Sequence, residues 1–231
     1  MLNKAVSIGV LVCAAMLASA QPARAQQTLN FTLGYFAPLG ADARVSGDVL
    51  IENRDFLLFD IPDFNGASVG GEWLVPLGRH VEGGIGISYS RRTVPTIYER
   101  FVDDAGAEIE QSLRLRLVPA AFTIRLLPLG QRSPVQPYFG AGLGIVNWRY
   151  VEDGDFIDFG AGNEVFTDTF VSNGSETGPI ALGGIRFASR TASAGFEVRY
   201  QKANANLGNE FTAPKIDLGG WTYNATLGLR F

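Results

Sequence analysis

The stretch Leu218-Gly-Gly-Trp-Thr-Tyr-Asn-Ala-Thr-Leu-Gly-Leu-Arg-Phe231 decides the fold. Counted back in twos, one set is Phe231, Leu229, Leu227, Ala225, Tyr223 and Trp221. The other is Arg230, Gly228, Thr226, Asn224, Thr222 and Gly220. Successive side chains of a strand point to opposite faces, so this is a strand with one apolar and one polar face. The apolar face carries aromatic residues near both ends and aliphatic residues between them. That is the profile of a strand whose apolar face meets lipid between two aromatic girdles. One such strand is only suggestive, and the rest of the chain must repeat it.

It does repeat. Leu29–Ala37 puts Leu29, Phe31, Leu33 and Tyr35 on one face. Ala67–Pro76 does the same with Val69, Trp73 and Val75, and Val81–Arg92 with Val81, Ile85, Ile87 and Tyr89. Ile109–Leu127 begins with Ile109, Leu113, Leu115 and Leu117 read as outward and Glu110, Ser112, Arg114 and Arg116 as inward. After Pro119 the parity changes to Phe122, Ile124 and Leu126. Proline cannot donate to a sheet ladder, so a bulge is expected there. Pro137–Tyr150 presents Phe139, Ala141, Leu143 and Ile145. Gly178–Ala188 opposes Ile185 and Phe187 to Arg186, with Gly183-Gly184 a candidate register shift. Ala194–Asn206 presents Phe196, Val198 and Tyr200. With the last strand that makes eight. The intervening segments alternate between long and short, with 38–66, 93–108, 151–177 and 207–217 the long ones. An all-β, antiparallel, up-and-down transmembrane barrel has this rhythm, with short periplasmic turns, long outer loops and both termini periplasmic. Each strand supplies the roughly 9–11 residues that a tilted span needs.

The start of the chain reads separately. Lys4, an apolar run from Ala5 to Ala20 and Ala23-Arg24-Ala25 form a secretory signal peptide over 1–25, leaving 26–231 as the barrel domain. The single cysteine, Cys13, falls inside that leader, so the mature chain offers neither a disulfide nor thiol catalysis. Removing Lys4 and Arg24 takes the formal net charge from −4 to −6, which argues against nucleic acid as a partner. The 28 glycines and 16 phenylalanines, with frequent turn residues, favour an all-β chain.

A soluble ligand-carrying barrel of the lipocalin sort would alternate in the same way, with its faces reversed. Three features select the membrane barrel. Glycines (Gly84, Gly86, Gly140, Gly142, Gly144, Gly220, Gly228) recur on the polar face, as a crowded interior requires. Arginines and glutamates share that face, where they can pair. Aromatics cluster at strand ends on the apolar face, with Trp73, Tyr35, Tyr89, Tyr200, Trp221, Tyr223 and Phe231 the expected girdle.

On Leu229-Arg230-Phe231, the run from Val118-Pro119 through Leu127-Pro128-Leu129-Gly130, and Pro137-Tyr138-Phe139-Gly140-Ala141-Gly142-Leu143-Gly144, together with the leader, the chain resembles a known family. It is similar to the small outer-membrane β-barrel proteins of Gram-negative bacteria, the eight-stranded group that includes OmpA-like barrels, OmpX and OmpW. The resemblance implies residence in the outer membrane among lipid and lipopolysaccharide. It also implies that Leu229 and Phe231 are read by the barrel-assembly machinery. It leaves activity open: a structural or interaction protein acting through its outer loops, or a narrow conduit for a small apolar solute. The run Phe56-Leu57-Leu58-Phe59 in segment 38–66, oddly apolar for a solvated loop, keeps the second alternative alive; its plainer reading is an extension of the wall above the membrane.

Chemistry is sparse. The only histidine, His80, falls in a predicted periplasmic turn, away from where an outer-face hydrolase would need its general base, so no enzymatic activity and no cofactor are expected. Asp153, Asp155 and Asp158 are weak candidates for a hard-cation site, at spacings that do not match an EF-hand loop. Near the periplasmic end, the inward parity holds Glu72, Glu82 and Glu197 with Arg125, Arg186, Arg199 and Arg230. Inward charges of both signs imply pairing, with Glu197 placed between Arg186 and Arg230 on its neighbouring strands. Eight strands leave an interior that side chains can fill, so a plugged, monomeric barrel is expected.

Overall fold

The computed structural model describes residues 26–231 apart from 104 and 161; the leader over 1–25 lies outside the described residues. Eight strands close a barrel: β1 (Thr28–Pro38), β2 (Gly66–Pro76), β3 (Val81–Val102), β4 (Glu108–Leu126), β5 (Val135–Asp158), β6 (Glu164–Ala188), β7 (Ala192–Gln201) and β10 (Gly220–Arg230). Every neighbour is antiparallel, and β1 pairs with β10 to seal the ring, so no strand edge is left for hydrocarbon to meet. Between β7 and β10, β8 (Asn204–Asn206) and β9 (Lys215–Asp217) form a separate small hairpin.

The strands do not stop where the lipid band ends. Segments 93–108 and 151–177, expected as loops, are mostly wall: β3 and β4 run on to Val102 and from Glu108, and β5 and β6 pair without a break out to Asp158 and Glu164. The β5–β6 register is continuous through Gly183 and Gly184, so there is no shift at that pair. Strand seven is shorter than expected, leaving the barrel at Gln201. Lys202 then crosses close over β6, and a Cβ at Gly178 would lie 1.6 Å from the Lys202 carbonyl, so only glycine fits.

The largest correction concerns β4. Its register against β5 runs unbroken through Pro119, with Val118 opposite Asn147 and Ala120 opposite Ile145, so no bulge forms. Parity never changes. Leu113, Leu115 and Leu117 are buried inside, as are Thr123 and Arg125, while Phe122 and Ile124 face out. Ile109 is likewise buried, and Arg114 and Arg116 are on the outer face. What changes near Pro119 is the surroundings. Toward the short turns the wall is apolar outside and polar inside. Toward the long hairpins it is polar outside and apolar inside, the arrangement of a water-soluble protein.

That second core is filled from two connections. In the segment between β1 and β2, α1 (Val49–Asn53) and a 3-10 turn at Ile61–Phe64 fold into the mouth of the barrel. They bury Val49, Leu50, Leu57, Phe59, Ile61 and Phe64 against Val94, Leu113, Leu115, Trp148 and Tyr150 of the wall. The run Phe56–Phe59 is therefore mostly lid rather than wall, although Leu57 bridges to Tyr98 and Leu58 remains exposed. The β8–β9 hairpin adds Ala205 and Ile216, and the residues between its strands add Phe211.

Candidate functional site

Two interiors stack along the barrel axis. In the short-turn half, three carboxylates and three guanidiniums form one buried cluster. Arg125 donates to Glu72 and, at 2.8 Å, reaches Glu197 Oε2; its other terminal nitrogen lies 3.9 Å from Glu82. Arg186 forks onto Glu82, donating at 3.2 and 3.0 Å, and its Nε donates to Gln136 at 2.8 Å. Arg199 bridges Glu72 at 3.3 Å and Glu197 at 2.8 Å. Tyr138 donates to Glu197 at 3.2 Å and lays its ring 4.9 Å from the Arg125 guanidinium. Arg125 and Glu197 are each 1% exposed. Such charges are tolerated away from water only when paired and hydrogen-bonded.

The partners differ from the sequence expectation. Glu197 binds Arg125 and Arg199, not Arg186, which belongs to Glu82. Arg230 lies at the short-turn rim, where it donates to the carbonyl of Ser189 at 2.5 Å and makes no ion pair with a described carboxylate. Tyr138, Thr123 and Gln136 were not singled out from the sequence, although all three have inward parity. The glycines beside the cluster make its room. A Cβ at Gly184 would sit 2.6 Å from the Tyr138 hydroxyl, and one at Gly84 would sit 2.9 Å from Glu72.

Between the ion cluster and the apolar core lie two small voids of about 30 and 20 Å³, both bordered by Ser68, Ser88, Pro119, Gln201 and Thr222. Each is large enough for one or two water molecules at most.

In the long-hairpin half a second polar set is buried among apolar side chains. Glu152 accepts from Asn53 at 2.7 Å and from the Tyr150 hydroxyl at 2.8 Å, and Thr212 donates to Asn53 at 2.8 Å. Burial raises the Glu152 carboxyl above its ordinary range, against the lowering effect of those two hydrogen bonds. Burial also raises the Tyr150 phenol, and the adjacent Glu152 raises it further. Arg44 and Asp48 pair at 3.0 Å with fully buried side chains; Asp48 also caps α1 through Leu50 N and accepts from Asp217 N, tying the two lid segments together. Nothing local in the sequence marks Asn53, whose partners Glu152 and Thr212 lie about one hundred or more residues away; Asp48 has local partners in Arg44 and Leu50 N, but its bond to Asp217 is equally distant.

The candidate cation ligands do not converge. Asp153 and Asp155 accept from Thr169 and Thr167 across the β5–β6 hairpin, and Asp158 accepts from Gly160 N at the tip. No group of three or more such side chains among the described residues is placed to hold a metal. Asp153 and Asp155 border an open surface depression of about 600 Å³ beside Leu58, Pro95 and Glu110. His80 sits in the β2–β3 turn with its Nδ1 3.0 Å from the Leu127 carbonyl.

The outside of the short-turn half is a continuous apolar belt. Leu33, Ile87, Ile124, Leu143 and Leu227 are 59 to 66% exposed. Toward the long hairpins it ends in Tyr35, Tyr89, Trp221 and Tyr223, with the Tyr200 ring tilted against Trp221 at 4.9 Å between centroids; toward the short turns it ends in Trp73 and Phe231. A soluble protein does not leave such a belt bare, whereas lipid requires it.

No family model and no curated protein matches the sequence. Solved structures do match. The outer membrane protein OprG from Pseudomonas aeruginosa aligns at 12% identity over 90% of this chain and 96% of its own, with a TM-score of 0.54. The N-terminal β-barrel domain of Pseudomonas aeruginosa OprF aligns at 14% identity over 89% and 97%, with a TM-score of 0.41. Neisserial surface protein A aligns at 12% identity over 89% and 95%, with a TM-score of 0.42. The chain has the fold of the small eight-stranded outer-membrane barrels, and its exterior is that of a protein embedded in lipid.

Proposed function

We propose that this is a closed outer-membrane barrel, with its short turns and both termini in the periplasm, that works through the surface its long hairpins present outside the cell. One observation supports this: the six-residue ion cluster around Arg125 is buried across the lumen of the short-turn half, and lid and wall side chains pack the mouth above it. A cluster of net charge zero, buried and mutually bonded, resists both water and ions. No catalysis is assigned, since His80 lies at the opposite end from the proposed outer surface. Planar-bilayer recordings of the purified protein test the reading. The expected result is no steady conductance; large, stable openings of a single size overturn it.

A second reading, a conduit for a small apolar solute, draws on a different feature. The apolar core of the outer half reaches the wall where β2 begins at Gly66, beside Phe64, Leu115 and Leu117, with only about 10 Å³ of free space. The core would have to open there. Protein-dependent transfer of an apolar fluorophore into reconstituted vesicles would favour this reading; transfer equal to that of protein-free vesicles would exclude it.

A further inference from the structure

Three arginines stand abreast on the outside of the wall. Arg91 on β3 is the register partner of Arg116 on β4, and Arg116 is the partner of Arg149 on β5. The residues flanking them on β4 and β5 (Leu115, Leu117, Trp148, Tyr150) are buried inside, so Arg116 and Arg149 point outward; Arg91 shares the outward parity of Tyr89. Arg114 lies two residues from Arg116 on the same face. Neighbouring strands are about 4.8 Å apart, so the row spans roughly 10 Å. None of the four makes an ion pair with a described carboxylate, and the Nε atoms of Arg114 and Arg116 are buried with no hydrogen-bond partner. Like charges directly opposite one another destabilise a strand pair, and here that happens twice in succession.

The row has a fixed place relative to lipid. Ile85, Ile87 and Tyr89 lead to Arg91; Phe122, Ala120 and Val118 lead to Arg116; Leu143, Ile145 and Asn147 lead to Arg149. On β3 and β4 the arginine follows directly on the run of apolar outward positions, and on β5 one polar residue, Asn147, comes between them, which puts the row at the level of headgroups.

We infer that this row binds the phosphate groups of a phosphorylated glycolipid of the outer leaflet. The inference rests on the orientation proposed above, which places this level of the wall at the outer leaflet. Guanidinium groups match phosphate oxygens in a two-pronged geometry that ammonium groups cannot reproduce. A row of three suits a headgroup that carries more than one phosphate on a rigid sugar pair. Acyl chains attached to that headgroup would run down the apolar belt directly below.

The test uses the protein purified from membranes, stripped of lipid and held in zwitterionic micelles. It is titrated with diphosphorylated lipid A, with the same glycolipid lacking phosphates, with phosphatidylglycerol and with inorganic phosphate, and binding is read by native mass spectrometry and by unfolding midpoint. Lipid A is expected to bind and to raise the midpoint. Arg116→Gln with Arg149→Gln is expected to weaken that binding by about tenfold or more, the scale of losing charge-assisted contacts. Without glycolipid, the same double variant is expected to unfold at an equal or higher temperature, because it relieves the opposed charges; a purely structural role would lower it. Arg91→Gln, at the edge of the row, provides the same comparison if the double variant does not assemble. Unchanged affinity in the variants, or equal binding of the dephosphorylated glycolipid, overturns the site. Phosphatidylglycerol or inorganic phosphate binding as tightly as lipid A overturns the glycolipid assignment. Orientation is read separately in intact cells, with an impermeant maleimide on Glu164→Cys in the β5–β6 hairpin and on Arg190→Cys in a short turn. Labelling at Arg190→Cys alone overturns the orientation, and with it the outer-leaflet occupant; labelling at Glu164→Cys alone leaves the titration to decide the site.

Discussion

Replacing Arg125 with methionine removes one guanidinium from the centre of the ion cluster while keeping most of the side-chain volume. In the native protein that guanidinium reaches Glu72 and Glu197, lies 3.9 Å from Glu82 and stacks on Tyr138. Without it the cluster holds three carboxylates against two guanidiniums, and Glu72 keeps Arg199 at 3.3 Å as its one cation beside the hydroxyl of Thr123. Breaking a buried pair so that one charge stays uncompensated costs about 3–5 kcal/mol, and Arg125→Met should fall in that range. Urea unfolding in lipid vesicles, followed by the fluorescence of Trp73, Trp148 and Trp221, gives the free energy by linear extrapolation. Adding Glu72→Gln restores neutrality, so the double variant should regain about 1–3 kcal/mol through the coupling of the two sites. A cost below about 1 kcal/mol for Arg125→Met, or a Glu72→Gln change that simply adds its own loss, would refute the idea of a charge-balanced plug.

Three further outcomes are expected. Because burial raises the Glu152 carboxyl, the unfolded chain releases its proton at lower pH than the folded one. Stability of the lid should therefore fall as pH rises from the ordinary glutamate range through the raised value, and Glu152→Gln should stabilise α1 at neutral pH and flatten that slope, as read by hydrogen exchange of residues 49–53. Asp48→Ala leaves Arg44 buried without its partner and uncaps α1, so it should destabilise the lid by about 3–5 kcal/mol in the same measurement while leaving the spanning half intact. Deleting Phe231 should lower membrane insertion in cells more than it lowers refolding in detergent; equal effects in the two assays would argue against its reading by the assembly machinery.

The spanning half was legible because lipid enforces a strict period of two over strands such as Gly220–Arg230, where every second residue must be apolar. The long-hairpin half was misread for the same reason. Leu113, Leu115 and Leu117 look like lipid-facing residues if every apolar face is taken to face lipid, and a change of environment at Pro119 then mimics a change of parity. The lid was illegible because Leu50 and Phe59 are placed by wall residues far along the chain, not by local pattern. For the ion cluster, parity names the inward charges but not their partners. Glu72, Arg125 and Glu197 sit on β2, β4 and β7 and meet across the lumen, whereas pairing along the sheet considers only adjacent strands.

The reversal of polarity along a strand of constant parity has a mechanical consequence. Sliding the barrel toward the short-turn side by one alternation would carry Arg116 and Arg149 into hydrocarbon; sliding it the other way would lift Ile145 and Tyr89 into water. A charged side chain on the lipid face costs up to about 2–4 kcal/mol at mid-bilayer and little near the interface, so the penalty grows with each step. A one-residue slip between strands would be worse, exposing Leu115 to water while turning Phe122 inward. The crossover thus acts as a depth gauge and a register stop built into the same residues, holding the lid at a set height above the membrane without any anchor outside the barrel wall.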